Sequence, residues 1–299
     1  MTHSRHELLP PPLVRRRERQ LLGAALLMVV LAVAGPFLVQ PAHYHDFADQ
    51  RAWGVIPHAM DVLSNLPFAA WGVAGLWALA RAVRLRAVDG ASAGLAGLFF
   101  AGLVATAGVS AFYHWRPDDG GLVWDRMGMV LAFAGLLGLA ALQAVSRRAG
   151  IALAAAALLL GPVTVQVWAV SGNLLPWGVL QIGGMALILG LAGLPPEWPA
   201  PGLRIRWALV IALYALAKLL ELADHAVFDL TGQLVSGHSL KHVMASFAAW
   251  PVVLAVLQAT RMSPERGKIS AESASPCNAR ASCPAPSRSN QAIQPRSQA

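Results

Sequence analysis

The chain is divided into successive apolar runs of about 18 to 24 residues, separated by short polar loops. Each run is long enough to cross roughly 30 Å of hydrocarbon at about 1.5 Å of rise per residue. Backbone polar groups in lipid must be satisfied internally, which leaves helices or a closed barrel, and the alternating pattern of barrel strands is absent. The expected fold is therefore all-α, a polytopic integral membrane helical bundle. With 56% of residues hydrophobic, 13% charged and a mean hydropathy of +0.54, an ordinary soluble domain is excluded. The net charge of +8 does not indicate a nucleic-acid partner, because the arginines gather in alternate loops, where they mark topology.

Residues 1–20 read as a basic cytoplasmic arm with prolines at 10–12 and arginines at 15, 16, 17 and 19. The run Leu21–Val39 follows, readable as an extra transmembrane helix or as a signal peptide with a small-residue cleavage site near Ala34. Further spans are expected at about His58–Ala80, Ala91–His114, Leu122–Val145, Gly150–Val170, Trp177–Leu194, Trp207–Leu222 and His238–Ala259. Every second loop is rich in arginine and those between are nearly free of it, which places both termini in the cytoplasm. Residues 40–259 form the seven-helix core and 260–299 a disordered cytoplasmic tail. Its two cysteines, Cys277 and Cys283, are expected as free thiols. The Ala, Leu, Gly and Arg bias looks bacterial, which makes the inner membrane the expected location.

Within this frame the stretch from Gly108 to Met129 carries Ser110, His114 and Asp125 around one interhelical loop. His238 and His242 stand one turn apart on one face of the last span. The topology puts all of them on the non-cytoplasmic side, facing the periplasm. Ionisable groups at membrane depth are costly and mark function by default. Zinc takes three imidazoles plus a water in catalytic sites, and lowers the pKa of that water to about 7. A metal-bound water attacking an amide or ester would use Asp125 as general base and then acid. Ser110, one turn before His114, lies within reach of the water or the oxyanion. Isolated histidines such as His43, His45 and His225 read as polar tips at headgroup level, and Lys218 and Glu221 as a local pair on the span Trp207–Leu222.

SxxxH with an aspartate eleven positions on, an upstream Ser-Asn pair and HxxxH in the last helix together resemble the alkaline ceramidase family. That family lies within the wider group of seven-helix zinc membrane hydrolases that includes the progestin and adiponectin receptor relatives. The likeness covers about residues 44–258 and implies a seven-helix ceramidase-like core, to which the first helix is an addition. It also implies hydrolysis of the amide bond of ceramide, or of a related N-acyl lipid, to a fatty acid and an amine. By the same resemblance His114, His238 and His242 are zinc ligands, Asp125 and Ser110 catalytic, and Ser64, Asn65 and Asp224 substrate-binding or supporting residues; Asp61, drawn into the bilayer just before the Ser-Asn pair, is grouped with them. A calcium site is implied at Asp46 and Asp49, although only part of its acidic pattern is present and His58 stands where a carboxylate is expected. The continuation Asp125-Arg126-Met127-Gly128 also departs from the family's acidic one.

Two readings of other classes stay open. One is a non-enzymatic receptor or regulator with a structural zinc, expected to have a closed fourth coordination position. The other is a proton-coupled transporter in which Asp61, Lys218, Glu221, Asp125 and the histidines form a relay. The partner common to the hydrolase readings is a membrane lipid, and oligomeric state is left open by the sequence.

Overall fold

A computed structural model describes residues 11–194 and 203–273 of the chain. The described residues up to Ser263 belong to one compact unit, and those from Pro264 on to another. The expected tail cysteines lie outside the described residues. Regular structure among the described residues is helical, and six helical segments are long and apolar enough to cross a membrane. The protein is an all-α polytopic membrane bundle.

Helix α1 (Pro11–Ala34) begins within the proline run rather than after the basic arm. Proline suits the first turn of a helix, where its missing N–H would find no partner anyway. Gly35 before Pro36 ends the helix, because a residue preceding proline is pushed out of the helical region. The next span is two pieces, α2 (Ala59–Leu63) and α3 (Leu66–Arg84), with Pro67 in the first turn of α3. Helices α4 (Gly90–Trp115) and α5 (Asp119–Ala144) start on aspartate caps, Asp89 and Asp118, whose side chains accept from the first free N–H groups. Helix α6 (Arg147–Ser171) starts on Ser146 in the same way. Short α7 (Leu175–Gly178), a π-helical turn (Val179–Gly183) and α8 (Gly184–Ala192) make the next span.

Helix α9 (Trp207–Leu222) has 16 residues, roughly 24 Å at 1.5 Å per residue, and leads into α10 (Asp224–Leu230). The last span, expected to be continuous from His238 to Ala259, is broken into α11 (Gly237–Phe247) and α12 (Trp250–Ser273). Pro251 accounts for the break, since it cannot donate to the preceding turn.

Helix α5 is the centre of the bundle, packed along both α4 and α6, while α11 lies between α3 and α9. Glycine permits close approach of α4 and α5: a Cβ on Gly102 would lie 2.4 Å from the Ala132 backbone nitrogen, and one on Gly135 2.5 Å from that of Phe99. Small residues serve this purpose where the lipid supplies no hydrophobic drive for helices to associate. The loops after α1, α4, α6 and α10 gather at one end of the bundle, joined by contacts such as Leu174 N–H to the Leu38 carbonyl at 2.7 Å. The arginine-rich turns after α3 and α5 lie at the other end, where Arg17 donates to the Ala144 carbonyl at 2.7 Å.

Candidate metal centre

His114 sits in the last turn of α4 and reaches the first end of the bundle just before the chain turns back into α5. His238 and His242 sit on α11, whose start is fixed by two polar groups. Ser236 accepts from Ser239 N–H at 3.0 Å, and the Asp224 carboxylate accepts from His238 N–H at 2.7 Å. The second Asp224 oxygen accepts from Ala48 N–H at 2.9 Å, tying the loop before α2 to the same helix start. Two elements distant in sequence are thereby locked together. All three imidazoles are buried, and one potential ligand atom of each lies within 4.8 Å of the others.

The rings meet edge-on, with centroids 4.8 to 4.9 Å apart and interplanar angles of 67° to 89°. Imidazole lone pairs lie in the ring plane, so this arrangement aims them inward. Nε2 of His114 and Nε2 of His238 are 3.3 Å apart. Two nitrogens held about 2.0 to 2.1 Å from one ion at the tetrahedral angle would be roughly 3.3 to 3.4 Å apart. The third ligand is oriented from behind. The Ser64 hydroxyl donates to the Asp61 carbonyl at 3.0 Å, and its oxygen lies 2.8 Å from Nδ1 of His242. With its own proton engaged, Ser64 accepts from Nδ1–H, which leaves Nε2 of His242 as the ligating atom. The three residues fit a metal ion.

Behind the histidines, the fully buried Asp61 carboxylate accepts from Ser239 at 2.7 Å and from Ser236 at 3.4 Å, while its second oxygen has no partner. Asn65 donates from its amide nitrogen to the Asp61 carbonyl at 2.9 Å, and its amide oxygen is unpartnered. Over the histidines lies the loop before α2. The Phe47 ring is 4.3 Å from that of His238 and 4.8 Å from that of His114, centroid to centroid. His45, expected as a loose polar tip, instead contacts the Tyr113 hydroxyl at 2.8 Å and Asp119 at 3.0 Å. His43 and His225 are exposed as expected.

A cavity opens beside the histidines, and Asp125, Ser110, His238 and His242 all line it. Ser110 sits against the Asp125 carboxylate. The remaining wall is largely apolar, with Phe68, Phe99, Leu103, Phe133 and Met185. Lys241, inside the HxxxH turn, brings Nζ to 2.9 Å from Nε2 of His238 and 3.4 Å from Glu221. The expected pair of Lys218 and Glu221 is present at 2.5 Å, so one glutamate serves two lysines. Lys241, Tyr44, Arg126 and Gln181 on this wall were not expected as site residues. Gln181 belongs to the π-helical turn, a distortion that often accompanies functional sites. Burial, then the charge of Glu221, pushes the Tyr44 phenol well above its ordinary pKa, so it remains a neutral donor.

The residues of the implied calcium site, Asp46 and Asp49, have protein partners. Asp49 receives the Arg51 guanidinium on both oxygens, at 2.8 and 2.6 Å. Burial alone would raise its pKa, but the hydrogen bonds and charge of Arg51 outweigh it and hold the carboxyl below the usual range. Asp46 is exposed and accepts from Gln50 at 3.1 Å. Among the described residues, neither joins a group of three potential ligands, and His58 adopts a left-handed backbone before α2.

No model of a known protein family matches the chain, and neither does any curated protein.

Proposed function

We propose that this protein is a zinc-dependent membrane hydrolase that cleaves the amide bond of ceramide or a related N-acyl lipid. The observation that carries this reading is the cluster of three buried histidines, two of which, His238 and His242, line one cavity together with Asp125 and Ser110. His114, His238 and His242 would hold the ion, which when bound supplies Lewis acidity and makes water acidic enough to ionise near neutral pH. Asp125 takes a proton from the attacking water and passes it to the leaving nitrogen. The water's oxygen ends on the acyl carbon, the C–N bond breaks, and the products are a fatty acid and an amine. Ser110 fixes the Asp125 carboxylate and can donate to the oxygen that gains charge. The apolar wall suits an acyl chain entering from the lipid. The arginine-rich loops at the opposite end of the bundle support a site facing away from the cytoplasm, with both termini inside.

The test is the metal content of detergent-purified protein, measured together with fatty-acid release from ceramides and other N-acyl lipids. Wild type should carry about one zinc per chain and release fatty acid. His238→Ala should lose both, whereas Asp125→Asn should keep the metal and lose turnover. Zinc without hydrolysis of any lipid would favour a receptor with structural zinc. A proton-relay reading draws on the hydrogen-bonded chain from Lys218 through Glu221 and Lys241 to His238. Metal-free protein from a metal-sparing preparation would favour that reading.

A further inference from the structure

Arg126 follows the catalytic candidate Asp125 directly, and its side chain is only 2% exposed. A guanidinium at this depth stays charged, and its five donors call for partners. Nη2 donates to the Gln40 amide oxygen at 2.8 Å. The plane lies over the Trp168 indole, with Cζ 3.9 Å from the ring centroid, within the reach of a cation–π contact. Nε and Nη1 make no well-aligned hydrogen bond, although the Tyr44 hydroxyl lies against the guanidinium. Leaving two donor nitrogens of a buried cation unmatched is costly, and the arrangement is understandable where a ligand completes it. Arg126 lines the same cavity as Asp125 and His238, with Tyr44 beside it as a neutral donor.

The charge balance of the cavity points the same way. Arg126, Lys218 and Lys241 on its wall face the two carboxylates of Asp125 and Glu221. A divalent ion on the histidines would add to the surplus of positive charge. Asp61 and Asp224, which could offset it, are not among the cavity-lining residues. A lipid with an uncharged head could accept hydrogen bonds from the guanidinium but would leave the surplus of charge unanswered.

We propose that Arg126 is a specificity-determining residue that binds an oxyanion on the substrate, a carboxylate or a phosphate on the amine portion of an N-acyl lipid. The proposal rests on the hydrolase reading for the bond that is cut, but not for the binding event. Nη1 together with the second hydrogen of Nη2 makes a fork that can engage a carboxylate or phosphate through two parallel hydrogen bonds, while Nε–H, on the side away from Nη1, can donate singly. Trp168 and Gln40 hold that fork in place. An N-acyl amino acid or a phosphorylated N-acyl amine is the substrate class this geometry selects over ceramide.

Binding of three probes to the full-length, metal-loaded protein tests this: N-lauroylglycine, the uncharged N-lauroylethanolamine, and its O-phosphate. Each is titrated in the same detergent with the protein's thermal unfolding as readout. At least one anionic probe should bind about tenfold to a hundredfold more tightly than the neutral one, as expected for charge-assisted hydrogen bonds. The carboxylate and phosphate arms show which anion is meant. Arg126→Gln should remove the preference while retaining the metal. Equal binding of all three probes to wild type would overturn the proposal, as would a preference that persists in Arg126→Gln, which would then belong to the lysines. Should Arg126→Gln fail to fold, Arg126→Lys keeps the charge but not the fork, and should shift preference from carboxylate toward phosphate; an unchanged ratio would refute the assignment. The two readings fail separately. Retained anion preference without hydrolysis removes only the amidase, and hydrolysis indifferent to the anion removes only the role of Arg126.

Discussion

Ser64→Ala removes a group that touches no metal, yet it should weaken metal binding. The Ser64 oxygen lies 2.8 Å from Nδ1 of His242, and its proton is engaged by the Asp61 carbonyl at 3.0 Å. Serine can therefore only accept from the imidazole, which fixes the tautomer with the lone pair on Nε2 and holds the ring at its angle to the other two. Losing such a partner typically weakens metal affinity about tenfold to a hundredfold, or roughly 1.4 to 2.7 kcal/mol. The lower half of that range is expected, because the Asp61 carbonyl stays close to Nδ1 as a substitute acceptor. The assay is competition for zinc against a chelator of known affinity, in detergent, with helical content as the control for folding. Ser64→Thr keeps the hydroxyl and should bind nearly as well as wild type. A folded Ser64→Ala protein whose zinc affinity lies within about twofold of wild type would refute the idea that this hydroxyl orients the ligand.

Other predictions concern the frame around the site. Asp224→Ala should cost about 1 to 2 kcal/mol, because the carboxylate caps the start of α11 and holds the Ala48 amide; thermal unfolding in detergent measures it. Gly135→Leu should destabilise more than a typical surface change, by about 1 to 3 kcal/mol or beyond, since even a Cβ meets Phe99 backbone at 2.5 Å. A helical content and melting temperature equal to wild type would contradict that close approach of α4 and α5. The Asp49–Arg51 contact should give the loop before α2 a pH dependence. A carboxyl whose folded pKa lies below its unfolded value near 3.9 stabilises fully above that value, and this contribution is lost as pH falls through the folded pKa. Protease resistance of the loop should therefore hold from neutral pH down to about 4 and fail only below it. Loss of resistance already near pH 6 would assign the loop's order to a histidine instead.

The sequence made the histidines legible because two independent patterns coincide there. HxxxH puts two rings on one helix face, and the alternation of arginine in the loops places His114 at the same end. Asp125 and Ser110 followed from helical spacing. The interior of the site was less legible. Ser236 and Ser239 carry no periodic signal, and only the fold reveals that they meet Asp61 across almost 180 residues. Lys241 was visible in the HxxxH turn, three residues after His238 and so on nearly the same face. Arg126 stood out as a departure from an acidic pattern, but a departure alone does not say whether the side chain points to lipid, to water or into a cavity. Helix breaks at Ser64–Asn65 and Ala248–Ala249 were hidden by continuous hydropathy, although Pro67 and Pro251 signal each of them. The calcium expectation came from the resemblance alone, and the sequence did not show that Arg51 contacts both oxygens of Asp49.

Burial and contacts divide the site into two sides with different duties. On one side Ser64, Asp61, Ser236, Ser239 and Asp224 form a network that touches the histidines and α11 from behind and is absent from the cavity wall. On the other side Asp125, Ser110, Arg126, Lys241 and Glu221 face the cavity, where a substrate would lie. A group that only orients a ligand acts through metal affinity and fold stability, because its effect is complete before substrate arrives. A group facing the cavity acts on what differs between bound states, through binding preference or turnover. Substitutions behind the histidines should therefore change zinc affinity and melting temperature together and leave the relative rates of different lipids alike. Substitutions in front should alter those relative rates at unchanged metal content. Asp61 is the sharpest case, since it is fully buried, carries an unpartnered oxygen and lies one serine away from the ligating helix. Asp61→Asn keeps the acceptor for Ser239 and should preserve lipid selectivity while changing metal affinity. A change in selectivity with metal affinity intact would place Asp61 among the groups that meet substrate, and the division drawn here would fail at that residue.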